Sequence, residues 1–600
     1  MMQEILLVPK PQKIKWLEGC YALRGERFAD EVICKKQEDI PPEGYRLFIS
    51  PEAITIEHST EQGAFYARQT LWQIAMQCGG ENIPCCAIED QPGLPIRGLL
   101  LDISRDKIPT LATLRGLADF MASFKMNHLQ LYIEGFSFAY PSFPALWENE
   151  TPLTGEELRQ LDAYCRERFI DLVPNQNCLG HMAPWLANEA FRPLAETEDG
   201  LSIMGRTFPP TTLNPLDPES LALVRTMTED LLPNFTSGYC NANLDEPFEL
   251  GKGKSRAFAE QEGLGRVYLN YAKQIHAMLA AKGKTMMMWG DVIAKHPEIA
   301  AELPKDIVVL EWGYEPEHPF PARTASLRAL GQPFCVCPGT SAWNSFTGLT
   351  DAMMENIRRA AESAYAHGAQ GMIAADWGDG GHLQYQPASC AGYVYSAAHA
   401  WNSGGVTQQE LAQALDRFVF QDEAGVMGQF CLDAGRYYQY EEFPMPCRTL
   451  ATIPLLFGYM DPEQYEQSLG MLMLMMSAMM VPEVAEVYTG HFENSKPYDH
   501  AAMMEYLDRL SDVLQQQMMQ CPQAQLISRE YNNALRMVRV LEQVRYAMRG
   551  GEVLGSKILN EIDAALCAHE ALWNARNKVG GLQRSTAGFR RLREQIGLFF

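Results

Sequence analysis

Asp245 and Glu246 stand side by side at the end of the short apolar run Tyr239-Cys-Asn-Ala-Asn-Leu244, and the irregular stretch Pro247-Phe-Glu-Leu-Gly-Lys-Gly-Lys-Ser255 follows at once. A strand that delivers two adjacent carboxylates to its C-terminal mouth can aim one at a leaving group and the other at a neighbouring charge, because side-chain alternation relaxes where a strand ends. Paired acids of that kind are what glycoside hydrolysis requires. An adjacent Asp-Glu pair is ordinarily a solvated loop feature, so the reading depends on what surrounds it.

The surroundings repeat. Short apolar strands are predicted at 97–103, 128–133, 171–175, 239–244, 285–289, 307–311, 334–337 and 371–375, separated by longer amphipathic segments. Helices are predicted from Thr154, where Thr154 and Glu157 have capping-box spacing, and over 265–282. Eight β-α units in succession predict a (β/α)₈ TIM barrel of class α/β. In that fold the chemistry sits on the loops after the strands, and those positions hold Arg105, Glu134, His181, Asp245, Glu246, Trp289, Trp312, Trp343, Asn344, Trp377 and Asp379. Tryptophans at strand ends can wall a pocket against the apolar faces of a sugar and an N-acetyl methyl, while Arg105 and Asp379 offer charge-assisted hydrogen bonds to hydroxyls. Singly, each has a plainer reading: rim packing for a tryptophan, an ion pair with Asp102 or Asp106 for Arg105, a supporting role for His181.

Three domains are expected. Residues 1–92 carry strand-like alternation at Tyr45-Arg-Leu-Phe-Ile-Ser50 and a helix from Gly63 to Ile74, a small α+β unit that the turn-rich Asp90-Gln-Pro-Gly-Leu-Pro95 closes. The barrel occupies 93–405. Residues 406–600 are predicted all-α, with helices at 408–420, 461–480, 502–519, 528–548 and 557–577, and Gly580-Gly-Leu-Gln-Arg-Ser585 as a loop returning to the barrel. The methionine run Met471-Leu-Met-Leu-Met-Met-Ser-Ala-Met-Met480 is expected to be adaptable bundle core rather than a binding surface. The helical region also raises the expectation of a homodimer.

A formal net charge of −24 on 600 residues argues against a nucleic-acid partner and against docking on anionic lipid. No apolar stretch reaches the roughly 18 residues of a membrane span, and no secretory signal is read at the start, so the expected location is cytoplasmic. Fifteen scattered cysteines read as reduced thiols, and neither Cys335-Val-Cys337 nor Cys85-Cys86 has the partners a zinc site needs. No metal and no cofactor are expected. Gly253-Lys254-Ser255 ends like a phosphate loop, but the glycine required five positions earlier is Phe248. The expected ligand is a small carbohydrate.

The motifs carry a resemblance. Arg97-Gly-Leu-Leu-Leu-Asp-Ile-Ser-Arg105 resembles the first barrel strand of glycoside hydrolase family 20, the β-N-acetylhexosaminidases, and Leu179-Gly-His181, Leu244-Asp-Glu246, Met288-Trp-Gly-Asp291 and Ala375-Asp-Trp-Gly-Asp379 follow in the family's order. The resemblance extends to the small N-terminal domain and to a helical tail seen in a bacterial, intracellular branch. It implies an exo-acting, retaining enzyme in which the substrate's own 2-acetamido oxygen is the nucleophile. Glu246 would protonate the glycosidic oxygen and later activate water, while an ionised Asp245 would hold the acetamide N–H and stabilise the oxazolinium ion. Arg105 and Asp379 would bind sugar hydroxyls, Trp312 and Trp377 would shape the pocket, and His181 and Glu134 would support the acid pair.

This sequence also departs from the family pattern. Asn241-Ala-Asn243-Leu244 replaces His-x-Gly-Gly, and the larger side chains are expected to narrow the pocket. Leu131-Tyr-Ile-Glu134-Gly135 keeps one acid of a usual pair. The tyrosine that holds the acetamide carbonyl is unassigned, with Trp343, Asn344 and Tyr314 as the nearby choices. The alternatives to a hexosaminidase are a non-catalytic sugar-binding relative and a hydrolase of sulfated or disaccharide-releasing specificity.

Overall fold

The computed structural model describes residues 5–23, 32–79, 82–203 and 206–599. Eight parallel strands form the central sheet: Ile96–Asp102, His128–Tyr132, Asp171–Pro174, Tyr239–Asn241, Thr285–Trp289, Val308–Trp312, Phe334–Cys337 and Gly371–Asp376. They neighbour one another in chain order. The last strand pairs with the first, and a bridge between Asn175 and Asn241 joins the third to the fourth, which closes the barrel. Every strand expected from the apolar runs is present, with ends shifted by a residue or two except after Asn241. There the backbone turns left-handed at Asn243 (φ 59°), Leu244 (φ 66°) and Glu246 (φ 44°), so the strand stops three residues early.

Alternation places Leu100, Tyr132, Val173, Met287, Val308, Leu310, Cys335 and Ile373 inside the barrel, with Trp289, Trp343 and Trp377 packed in the same cluster. The capping box at Thr154 forms as its spacing predicts: the Glu157 N–H donates to Thr154 Oγ1 while the Thr154 N–H donates to Glu157 Oε2 at 2.8 Å.

A five-stranded sheet precedes the barrel, in the order Lys13–Ala22, Asn82–Asp90, Tyr45–Ile49, Ile54–His58, Val32–Lys36, with the helix Glu61–Gln77 against it. Two ion pairs tie this unit to the barrel: buried Arg97 to the half-buried Glu43 just before the strand Tyr45–Ile49, and the fully buried Lys125 Nζ to Asp90 Oδ2 at 3.0 Å. Trp401 also donates to Asp90 Oδ1 at 2.9 Å. Pairing on both sides is what permits such charges to be buried.

The region after Trp401 is helical: Gln408–Ala414, Met427–Ala434, Pro462–Met479, Pro482–Glu493, His500–Gln515, Ala524–Met548, Gly555–Arg576 and Leu582–Phe599. The expected loop over 580–585 is a two-glycine turn that runs straight into the last helix. It does reach the barrel, because a Cβ at Gly581 (φ 85°) would lie 1.7 Å from the Asp106 carbonyl, and Arg584 pairs with Asp106 and Glu150 at 2.8 Å. Only Tyr465, Leu469 and Met473 of Pro462–Met479 are buried, while Met471, Leu474 and Met479 are more than half exposed. The methionine run is therefore bundle core along one side only: Met473 is buried, Leu472, Met476 and Met480 pack against the core, and Met471, Leu474 and Met479 face outward. The helix packs by one narrow face, and its C-terminal end lies at the barrel mouth. No helix among the described residues is long and apolar enough to cross a membrane.

Candidate active site

Asp102, the last residue of the first barrel strand, is fully buried and organises the loop that follows: its Oδ1 accepts from the Ser104 and Arg105 N–H groups, and its Oδ2 accepts from Gly378 N–H at 3.0 Å and from Arg105 Nη1 at 2.9 Å. The Arg105 guanidinium then bridges loops, with Nη1 3.3 Å from Asp379 Oδ1 and Nη2 3.4 Å from Glu134 Oε2. It lies over the rings of Tyr132 and Trp377 at 5.2 and 5.1 Å. The structural pairing with Asp102 thus coexists with a place in the cavity wall. Asp106, the other suggested partner, is taken by Arg584.

Leu179-Gly-His181 brings the third and fourth strands together. A Cβ at position 180 would sit 2.2 Å from the Asp245 carbonyl oxygen, so only glycine lets the acid pair pack this closely. His181 Nε2 is 3.3 Å from Asp245 Oδ2 and 3.4 Å from Glu246 Oε2, and Nδ1 is 3.7 Å from Glu134 Oε2. Burial opposes the imidazolium, but attraction and hydrogen bonding to Asp245 and Glu246 outweigh it and hold His181 well above the ordinary histidine range. Two carboxylates from adjacent residues converge on one imidazole nitrogen. The left-handed backbone at Glu246 makes this possible by turning it toward the same side as Asp245, a strain of the kind stored at functional sites.

Asn243 and Leu244 do not narrow the pocket. Both are fully buried and neither lines the cavity; Asn243 Oδ1 instead accepts from Trp289 Nε1 at 2.8 Å, and its Nδ2 donates to Asn175 Oδ1 at 2.7 Å. Trp289 is thereby fixed in the wall. Gln130 Oε1 accepts from both Asn175 and Asn241, which extends this amide network across three strands.

The cavity has a volume of about 590 Å³, within the usual range for small-molecule sites. Arg105, His181, Asp245, Glu246, Trp289, Trp312, Trp343, Asn344, Trp377 and Asp379 all line it. Glu134, placed among the substrate-binding candidates, does not: it lies behind the wall, held by Tyr132, Arg105 and His181. Tyr314 lines the cavity between three tryptophans, stacked on Trp312 at 5.3 Å and edge-on to Trp343 at 5.1 Å and Trp377 at 6.4 Å. Asp245 Oδ1 and Trp312 Nε1 are buried with no hydrogen-bond partner among the described residues.

Asp291, quoted above only as the end of a motif, is a further liner. Its Oδ2 accepts from the Glu246 N–H at 3.5 Å and lies 3.8 Å from Lys295 Nζ. Burial, and then the charge of Asp245, push its carboxyl up to about 7. A raised folded-state value means that the group binds its proton more tightly folded than unfolded, so its contribution is present below about pH 4 and is lost as the pH rises through about 7. Asp291→Asn is expected to gain on the wild type by on the order of a few kcal/mol in unfolding free energy between those limits, as read by denaturant titration. A pH-independent difference would contradict the buried carboxyl.

Residues 28–91 match the model of glycosyl hydrolase family 20, domain 2, and residues 95–346 match that of the family's catalytic domain, together just over half of the chain. The chain is 28% identical over 325 residues to a beta-hexosaminidase of Akkermansia muciniphila, covering 48% of this chain and 63% of that protein. It is 26% identical over 288 residues to a lacto-N-biosidase of Bifidobacterium bifidum, covering 46% of this chain and 25% of that one. Among solved structures, Flavobacterium johnsoniae chitobiase shares the fold with a TM-score of 0.59 at 17% identity, over 96% of this chain and 100% of its own. The GH20 exo β-N-acetylglucosaminidase of Vibrio harveyi, solved with N-acetylglucosamine, does so with a TM-score of 0.56 at 18% identity, over 68% of this chain and 76% of its own. With the motif residues gathered at one barrel mouth and both family models matched in order, the chain belongs to glycosyl hydrolase family 20.

Proposed function

We propose that the protein is an exo-acting β-N-acetylhexosaminidase that removes terminal β-linked N-acetylglucosamine or N-acetylgalactosamine with retention, using the substrate's acetamide as nucleophile. The observation that carries this reading is the convergence of Asp245 and Glu246 on His181 Nε2 inside an aromatic cavity.

Glu246, the more accessible of the two acids, protonates the glycosidic oxygen as the bond to C1 breaks and the acetamide oxygen closes on C1. Asp245, whose free Oδ1 is buried, accepts the acetamide N–H and balances the positive charge of the oxazolinium ring. Glu246 then takes a proton from the water that opens the ring at C1, and the product keeps the β configuration. The carboxylate of Asp245, set beside the acetamide, favours a cationic intermediate. Tyr314, set among Trp312, Trp343 and Trp377, is the hydroxyl best placed to donate to the acetamide carbonyl. Arg105 and Asp379 meet the sugar hydroxyls, and the Trp289, Trp343 and Trp377 layer floors the cavity, as suits a chain terminus rather than a chain interior. The aryl β-N-acetylglucosaminide and β-N-acetylgalactosaminide are expected to be hydrolysed and the aryl β-glucoside left intact. Equal turnover of the glucoside would remove the acetamide from the mechanism.

A further inference from the structure

The cavity has two unlike halves. The barrel side supplies the aromatic rings and all the charges but that of Arg448. The other side comes from the region after the barrel, where the helices Pro462–Met479 and Pro482–Glu493 are joined by Met480 and Val481, and this junction lies at the cavity. From it Met476, Met479, Met480, Val481, Pro482 and Val484 line the cavity, and the hairpin contributes no charged or hydrogen-bonding side chain. The charged liners outside the acid cluster are Lys295, Glu311, Glu315 and Arg323 from the barrel, with Glu311 paired to His318 at 2.9 Å, and Arg448 from a separate segment.

The hairpin is anchored rather than draped. Asp461 caps its first helix by accepting from the Gln464 N–H at 2.9 Å, with proline at the first helical position, and Tyr465, Leu469, Met473, Val484 and Tyr488 are buried. Its tip faces the cavity with apolar groups only, and Met479 is 61% exposed at the rim.

Resting on the hydrolase reading above, we propose that this hairpin forms the aglycone side of the site and selects an apolar leaving group, an alkyl or aryl alcohol, over a second sugar. A hydroxyl-rich ring against thioethers and a proline would leave its hydroxyls without partners, which costs free energy, whereas an alkyl or aryl group gains by covering the same surface. Unbranched, polarizable methionines adapt to such groups without a fixed shape. The tryptophans that could stack on a sugar lie on the barrel side, where the terminal acetamido sugar is held.

The test is calorimetric binding of three non-hydrolysable ligands to the full chain: methyl 1-thio-β-N-acetylglucosaminide, its hexyl homologue and thiochitobiose. The hexyl ligand is expected to bind at least about tenfold tighter than the methyl one, which corresponds to burying roughly two methylenes, and tighter than thiochitobiose. Met476→Gln with Met480→Gln, near-isosteric but polar, is expected to reduce the hexyl-to-methyl ratio to about threefold or less. Met479→Gln at the exposed rim, where folding is not at stake, is expected to reduce it in the same direction. Equal affinity for methyl and hexyl ligands, a ratio unchanged in all variants, or tightest binding of thiochitobiose overturns the aglycone assignment and leaves the hydrolase reading standing. Failure of all three ligands to bind overturns both.

Discussion

Glu246→Gln is expected to lower kcat by about 10²–10⁴-fold on glycosides of alcohols and sugars, the usual range for loss of a general acid. Those leaving groups depart as alkoxides unless a proton arrives in the transition state, and the amide cannot give one. On a dinitrophenyl glycoside, which needs no protonation to leave, the first step should be spared and the loss confined to the water-activating step. Binding should change little, because glutamine keeps the size of the side chain and its contact near His181. Steady-state rates on the two substrate classes separate these effects. Wild-type turnover of a poor leaving group by this variant would remove Glu246 from the chemistry.

Asp245→Asn is the second large effect, expected at about 10²–10³-fold in kcat on acetamido sugars, comparable with removing one preorganised charge partner from a transition state. An asparagine can still touch the acetamide, but it cannot offset the positive charge of the oxazolinium ring. The same change has a signature apart from rate. Asp245 helps to hold the His181 imidazolium, so its neutralisation should bring the histidine titration down toward the ordinary range, visible by NMR of the imidazole protons. An unchanged rate with an unchanged His181 titration would contradict both roles.

Much of this site could be read from residue order. The eight strands were legible because each is a short apolar run between amphipathic segments, and a TIM barrel puts the residues after those runs at one mouth. Arg105, His181, Asp245, Glu246 and the strand-end tryptophans follow from that rule. The early end of the fourth strand was not legible. Asparagine takes up a left-handed backbone readily but leucine seldom does, and nothing in Asn243-Leu244 announces the turn that tertiary packing imposes. Nor could the side-chain directions be read: Asn243 looks like an obstruction beside glycine in the family pattern, yet it points away and fixes Trp289. Glu134 follows the strand-end rule in sequence but lies one layer back, behind Arg105 and His181.

The methionine run shows a different limit. Hydrophobicity alone assigns Met471–Met480 to a core, since an apolar helix is most often buried. Its position is set by its pairing with the helix Pro482–Glu493 and by Arg545 and Arg549, which reach Tyr465 and Glu466 from some 80 residues further along the chain, and such contacts leave no periodic trace. Tyr314 was open for a similar reason: three aromatic neighbours from three loops define its place, and none of them is near it in sequence except Trp312.

The central claim is that the substrate's acetamide, held by Asp245, attacks C1. It is tested most directly by inhibition with the thiazoline analogue of the oxazoline, measured on the aryl β-N-acetylglucosaminide with wild-type protein and with Asp245→Asn. The account predicts competitive inhibition of the wild type far below the substrate's KM, weakened by at least about tenfold in the variant, the scale of one lost charged hydrogen bond. A thiazoline that binds no better than the product sugar, or equally well to both proteins, would contradict it.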